Sequence, residues 1–175
     1  MRHPDPADPP RRRGNKARGH GTWDNDRPPV LGVVGRETGR VGLEVVRRST
    51  REQLQPRVLA STAPGAAVNT DEWRAYARLP EHGRAHPTVC HNPARPGGPE
   101  YARDDDGDGV REVHCNTMEG TWTGLRTFLR PFRGVAKRYL GQYVAIFEWS
   151  CNVKTVTADY LRAMLGLKPS TYRGT

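Results

Sequence analysis

Two acidic residues, Asp71 and Glu119, stand where a carboxylate can do chemistry. Asp71 follows GAAVNT, a run with the composition of a short buried strand. An acid at the end of such a strand can project into a cleft and hold a divalent cation. Glu119 lies in HCNTMEGTWTGLR, seven residues before Arg126. On a helix that spacing places both on one face, two turns apart. The carboxylate could ligate a metal and the guanidinium could meet a phosphate. Each residue also has a plain structural use. Asp71 ahead of EWRAY is a good helix cap, and from residue type alone that is the stronger reading. Glu119, in the first turn of a helix opened by Asn116 or Thr117, complements the helix dipole. A capping box is excluded, because Gly120 stands three residues after Thr117. Arg126 and Arg130 share the Glu119 face, and in a chain this basic, polyanion contact outweighs simple solvation there.

Two other constellations compete. DDDGDG, Asp104–Gly109, matches the start of a calcium loop. The twelfth position, which should be Glu, is Cys115, and no convincing helix precedes the run, so a solvated acidic turn is the stronger reading. His86, Cys90, His91, His114 and Cys115 suggest zinc. Neighbours on a strand point to opposite faces, however, so the adjacent pairs Cys90-His91 and His114-Cys115 converge poorly on one ion, and no C-x-x-C is present.

The elements that must position these residues belong to a chain of 175 residues, long enough for one domain with a core of its own. There are 28 Lys and Arg against 19 Asp and Glu, a formal charge of +9. The mean hydropathy is -0.79 and the pI near 10.0. This balance points to nucleic acid as partner, ahead of an anionic membrane surface. No apolar run is long enough to span a bilayer, and the opening residues do not read as a signal or transit peptide. Three cysteines, Cys90, Cys115 and Cys151, have no disulfide-scaffold spacing, which fits a reducing cytoplasm.

Residues 1–27, rich in Pro, Arg and Gly, read as a basic irregular arm. Residues 28–154 form the ordered domain, and 155–175 a short helix and tail. Val30–Val34 and Val41–Val46 flank GRETGR, which predicts a hairpin. TREQLQPRVLAST predicts a helix capped by Ser49 or Thr50, its start confined by Pro56. A short strand ending at Thr70-Asp71, a helical turn at WRAYARL and a strand in AHPTVCHN follow, then a loop over 93–112. Met118, Trp122, Leu125, Leu129 and Phe132 form an apolar stripe at helical steps. Pro131 should end that helix and take Arg133 out of line. KRYLGQYVAIFEWSCN predicts a second helix with Tyr139, Tyr143, Ile146 and Phe147 inward. TADYLRAMLGLKP predicts a third, capped by Thr157 and followed by Pro169. The order is that of a mixed α/β domain.

Taken together, VNTDEWRAYARL, HPTVCHN, VHCNTMEGTWTGLRTFLRPFRGV and YLGQYVAIFEWSCN resemble the DDE transposases of bacterial insertion sequences, of the ISXO-like family. The resemblance covers about residues 28–154 and rests on several separated motifs in the right order. It implies a ribonuclease H-like mixed sheet flanked by helices, and an enzyme that cuts and joins DNA at the ends of its own mobile element. It implies Asp71 as the second catalytic carboxylate, Glu119 as the third, and Arg126 as a contact to the DNA backbone, with Arg130 and Arg133 beside it. Two Mg²⁺ or Mn²⁺ ions held by the carboxylates would serve an in-line displacement at phosphorus without a covalent protein intermediate. The expected partners are element ends and target DNA, with a homo-oligomer on that DNA, in a bacterial nucleoid. The chain departs from the family at the first catalytic carboxylate. Nothing before Val30 reads as a buried strand bearing an Asp, and Asp24 and Asp26 lie in a turn. The expectation is therefore a truncated transposase domain lacking its first, central strand and inactive alone. The rivals are a catalytically dead DNA-binding remnant and, more weakly, a calcium-binding module.

Overall fold

The computed structural model describes residues 21–168. The described end of the expected irregular arm is a turn. Thr22 N–H donates to Asn25 Oδ1 at 2.7 Å and Asn25 N–H to Thr22 Oγ1 at 3.2 Å. Asp24 and Asp26 lie in it, as expected, and pair with Arg48 at 3.0 Å and Lys137 at 3.4 Å.

The hairpin forms where the valine runs place it. Strand β1, Val30–Val34, pairs antiparallel with β2, Val41–Val45, with Val30 opposite Val45 and Val34 opposite Val41. The connecting turn closes with Gly35 N–H on Arg40 O at 2.9 Å and Gly39 N–H on Gly35 O at 2.7 Å, and Gly39 takes a φ of 64°. That left-handed conformation is open to glycine without strain.

Helix α1, Arg51–Ser61, has Thr50 at its N-cap position and buries Leu54, Gln55 and Val58. Pro56 does not confine its start, contrary to the sequence expectation. It lies inside the helix on the exposed side, where the carbonyl left without a donor is open to water. Strand β3, Thr70–Asp71, pairs parallel with β4, Thr88–Val89, and a bridge between Ala67 and Ala85 extends the pairing. Between them, 3-10 turns at Arg74–Tyr76 and Pro80–His82 bring Ala75 and Leu79 into the core.

Residues 93–112 are not loop throughout. Strand β5, Ala102–Arg103, pairs antiparallel with β6, Val113–His114. Arg103 fastens β5 by donating to Thr88 O at 3.0 Å and Glu100 Oε2 at 2.9 Å, and to Asp105.

Helix α2, Asn116–Leu129, ends ahead of Pro131 in a 3-10 turn, Arg130–Phe132. Arg133 follows with a φ of 50° and leaves the helical line. Helix α3, Lys137–Asn152, is turned differently from the expectation. Tyr139 and Ile146 are exposed, Val144 is buried, and Tyr143 and Phe147 join Phe128 and Phe132 in an aromatic cluster. The stripe that meets β2 is Val144, Glu148 and Asn152, at steps of four. Two of the three are polar because they bond strand backbone. Asn152 accepts from Val41 N–H at 2.8 Å and donates to Val41 O at 2.7 Å, and Glu148 Oε2 accepts from Leu43 N–H at 2.6 Å. Helix α4, Ala158–Met164, is capped as expected by Thr157, whose Oγ1 accepts from Tyr160 N–H at 3.0 Å. The expected stop at Pro169 lies outside the described residues.

The layers follow from alternation on β1. Leu31 and Val33 face α1 and join the core of Val46, Leu54, Val58, Ala75 and Leu79. Gly32 faces α2, and a Cβ there would come within 2.8 Å of Met118 Sδ and of Trp122 Cη2. The hairpin is thus held between helices on both faces, a mixed α/β architecture built on small sheets.

Candidate active site

Pairing of β3 with β4 delivers Asp71 to the end of a short parallel ladder. Its Oδ1 accepts Trp73 N–H at 3.2 Å, and Trp73 Nε1 donates to Ser49 O at 3.1 Å. The N-cap position of the following turn is Trp73, so Asp71 serves the turn from two residues earlier. Beside it, Thr70 Oγ1 donates to Asp71 O at 2.6 Å and contacts His86 Nε2 at 2.8 Å. The single hydroxyl proton is committed to the carbonyl, so His86 donates through Nε2. Burial holds the His86 pKa below the usual imidazole range, with the Asp71 charge opposing.

Glu119 arrives from the opposite layer. The N-cap position of α2 is Cys115, not Asn116 or Thr117, and the Cys115 carbonyl accepts both Met118 N–H at 3.0 Å and Glu119 N–H at 3.1 Å. His91, just past β4, places Nδ1 3.5 Å from Glu119 Oε1 and packs its ring 5.1 Å from that of Tyr101. Its Nε2 is buried without a hydrogen-bond partner among the described residues.

Asp71 and Glu119 line one cavity of about 1190 Å³, together with His91, His114 and Cys115. Both carboxylates act on the same thiol. Burial first, then the charges of Asp71 and Glu119, push Cys115 up to about 11, with Arg36 opposing. Tyr76 is pushed up to about 12 by burial, then by Asp71 and Cys115. Arg36, from the hairpin turn, donates to the carbonyls of Glu112 and His114 and so ties that turn to the strand leading into α2. Burial, then the Arg36 charge, hold His114 below its ordinary pKa. Sequence reasoning missed Arg36 as a site residue, and no spacing signals a guanidinium bonded to backbone so far along the chain. His91 was visible only as a weak zinc candidate.

Arg126, Arg130 and Arg133 are exposed. Arg126 continues the Glu119 face of α2, Arg130 opens the 3-10 turn, and Arg133 stands off after it. None of them takes part in an ion pair among the described residues. Asp104, Asp106 and Asp108 bring ligand atoms within 4.8 Å of one another, the one such group of three or more among the described residues. Those carboxylates also accept backbone N–H groups of their own turn, from Gly107 and Gly109 to Asp104, from Asp108 to Asp106, and from Val110 to Asp108. These backbone donors hold Asp104 below the usual carboxylate pKa. The zinc candidates do not gather. Cys90 is buried in the core while its neighbour His91 turns to Glu119.

No solved structure matches the chain. It is similar to a protein of the transposable element ISH50 in Halobacterium salinarum, 31% identical over 141 residues. The match takes in 80% of this chain and 44% of that protein, so the chain spans less than half the length of this relative. The profile of the ISXO2-like transposase domain matches residues 5–152. Asp71, Glu119 and the cavity they share all fall inside that span, and the chain belongs to the ISXO2-like transposase domain family.

Proposed function

We propose that this chain forms the catalytic domain of an insertion-sequence transposase, a ribonuclease H-like sheet on which Asp71 and Glu119 are two of the metal-holding carboxylates. The observation that supports this best is that both line one cavity and bear on one thiol, although they come from separate layers. The donor set suits a hard cation. The carboxylates offer oxygen, and the Cys115 thiol, pushed up to about 11, keeps its proton at neutral pH and is a poor competing ligand. A Mg²⁺ or Mn²⁺ ion held by Asp71 and Glu119 would supply Lewis-acid stabilisation of charge at phosphorus. The remaining work falls to the chain. His91 steadies the Glu119 carboxylate, Thr70 and His86 fix the end of β3, and Arg126, Arg130 and Arg133 donate to backbone phosphates on DNA. A second reading, a domain that holds DNA without cutting it, is favoured by one observation. Among the described residues the sheet is interrupted between β1 and β3, so Asp71 lacks a neighbouring strand on one side.

The test incubates purified protein with supercoiled plasmid and Mn²⁺, and measures binding to a fluorescent duplex in parallel. Nicking by the wild type, lost in Glu119→Gln with DNA affinity kept, supports catalysis. Equal binding and no nicking in either fits both the second reading and the inactivity expected of a domain without its first carboxylate. Thermal stabilisation by Mn²⁺ that is lost in Glu119→Gln then favours the catalytic reading, and its absence the second. Absence of DNA binding in both overturns the two together.

A further inference from the structure

His91 and Glu119 come from different elements and meet at the cavity. His91 follows β4, Glu119 stands in the first turn of α2, and Nδ1 of the one lies 3.5 Å from Oε1 of the other. That separation is long for a hydrogen bond. It is near the roughly 3 Å between neighbouring donor atoms on one cation, where bonds of about 2.1 Å meet at right angles. The segment that carries the imidazole is held by other contacts. The ring packs 5.1 Å from that of Tyr101. One residue back, Cys90 O accepts Glu100 N–H at 2.7 Å, and the Glu100 carboxylate pairs with Arg95 at 3.1 Å and Arg103 at 2.9 Å. His91 Nε2 is buried and has no partner among the described residues, so Nδ1 is the nitrogen that an ion in the cavity can reach. Both side chains stay accessible, His91 at 30% and Glu119 at 50% exposure.

We propose that His91 is a metal ligand beside Glu119, and that it sets which divalent cation the site prefers, Mn²⁺ over Mg²⁺. The inference rests on the catalytic reading and deepens it. Two carboxylates make an all-oxygen set, which takes either ion. An imidazole nitrogen is a softer donor. It adds little for Mg²⁺, which holds to its water, and more for Mn²⁺. Among the described residues, Asp71, Glu119 and His91 do not bring three ligand atoms within 4.8 Å of one another, so the pair, not the trio, is preformed. The other histidine that lines the cavity, His114, is less suited. Its carbonyl takes the Arg36 guanidinium, and that fixed positive charge repels a metal ion.

The experiment loads purified 1–175 with substoichiometric Mn²⁺ and records pulsed EPR, in which a directly bound imidazole leaves nitrogen modulation on the Mn²⁺ signal. Calorimetry with Mn²⁺ and with Mg²⁺ compares wild type, His91→Gln, His91→Asp and Glu119→Gln, and thermal melts check that each variant folds. The expected result is nitrogen modulation in the wild type that vanishes in His91→Gln. Mn²⁺ affinity should fall there by about tenfold or more, with Mg²⁺ affinity nearly unchanged. His91→Asp makes the set all-oxygen again, so it should bind both ions and lose the preference for Mn²⁺; it also serves as the comparison if His91→Gln does not fold. A residue that only supported Glu119 would lower both affinities together. That result, or Mn²⁺ bound without nitrogen modulation and lost in Glu119→Gln, overturns the ligand role and leaves the two-carboxylate reading standing. Modulation that persists in His91→Gln assigns the nitrogen to His114 and overturns the proposal too. Mn²⁺ binding indifferent to Glu119→Gln, or no binding at all, sinks this inference and the catalytic reading together.

Discussion

Replacing Asn152 with Ala removes the side chain that closes the outer edge of the hairpin. The Asn152 amide makes two bonds to one peptide unit, accepting from Val41 N–H at 2.8 Å and donating to Val41 O at 2.7 Å. Val41 is 7% exposed, so water reaches those groups poorly once the amide is gone. Leaving a buried backbone donor or acceptor unsatisfied costs about 1–3 kcal/mol, and partial solvent access from the edge brings the pair to about 2–4 kcal/mol. For a domain of this size that corresponds to a fall in melting temperature on the order of 10 °C. Asn152→Asp separates the two bonds. It keeps an acceptor for Val41 N–H but sets a second acceptor against Val41 O, so it should be little better than Ala. The measurement is urea unfolding of wild type and both variants, with the midpoint shifted and the slope unchanged. A loss under about 0.5 kcal/mol in both variants, or full stability in Asn152→Asp, would refute the edge-capping argument. Aggregation of Asn152→Ala at concentrations where the wild type stays monomeric would follow from the same opened edge.

Arg126→Ala should weaken duplex DNA binding across sequences and reduce the slope of log affinity against log salt by about 1, read by fluorescence anisotropy. Asp71→Asn and Glu119→Gln should each lower the Cys115 thiol from about 11 and speed its alkylation at pH 8. An unchanged rate in either variant would show that its carboxylate does not approach the thiol. His86 and His114 are both held below 6.5 in the folded chain, so below that pH the unfolded chain binds more protons. Their contribution is complete above pH 6.5 and erodes as pH falls below it, and His86→Gln should flatten the acid limb of a stability-against-pH curve. Gly32→Val sets methyl groups against Trp122 and Met118, where even a Cβ would lie 2.8 Å from Trp122 Cη2. It should cost about 1–3 kcal/mol in a urea melt despite the better strand propensity of valine.

The hairpin was legible because two valine-rich runs bracket a turn with glycine at position 39, where φ is 64°, a signal contained within the stretch itself. The rotation of α3 was not. Counting apolar residues selects Tyr139 and Ile146, while the sheet is met by Val144, Glu148 and Asn152. Polar side chains belong on that face only because an unpaired strand edge lies opposite, and nothing local to the helix announces it. Strand β5 escaped notice for a related reason. Its two residues are held by Arg103, whose partners Thr88 and Glu100 lie on different segments. At Asp71 the competing readings do not exclude one another, since one oxygen holds the Trp73 turn while the carboxylate still faces the cavity. Residue type weighed a structural use against a chemical one, and the fold accommodates both.

The charge of the cavity runs against that of the chain. Overall the protein carries +9, a charge that attracts polyanions from a distance, but the cavity is lined by Glu37, Asp71, Asp105, Glu112 and Glu119 against Arg36. A phosphate attracted by the global field is repelled where Asp71 and Glu119 stand, unless their charge is countered at short range. Salt cannot do this, because screening weakens the long-range attraction at least as much as the local repulsion. A divalent cation held between the two carboxylates can, since it neutralises their combined charge at short range and leaves the distant field almost intact. Arg126 and Arg130, outside the cavity on the Glu119 side of α2, suit the complementary task of holding the flanking backbone. If the proposed function holds, the exposed arginines set how tightly DNA binds, and the carboxylates set whether a phosphate can enter.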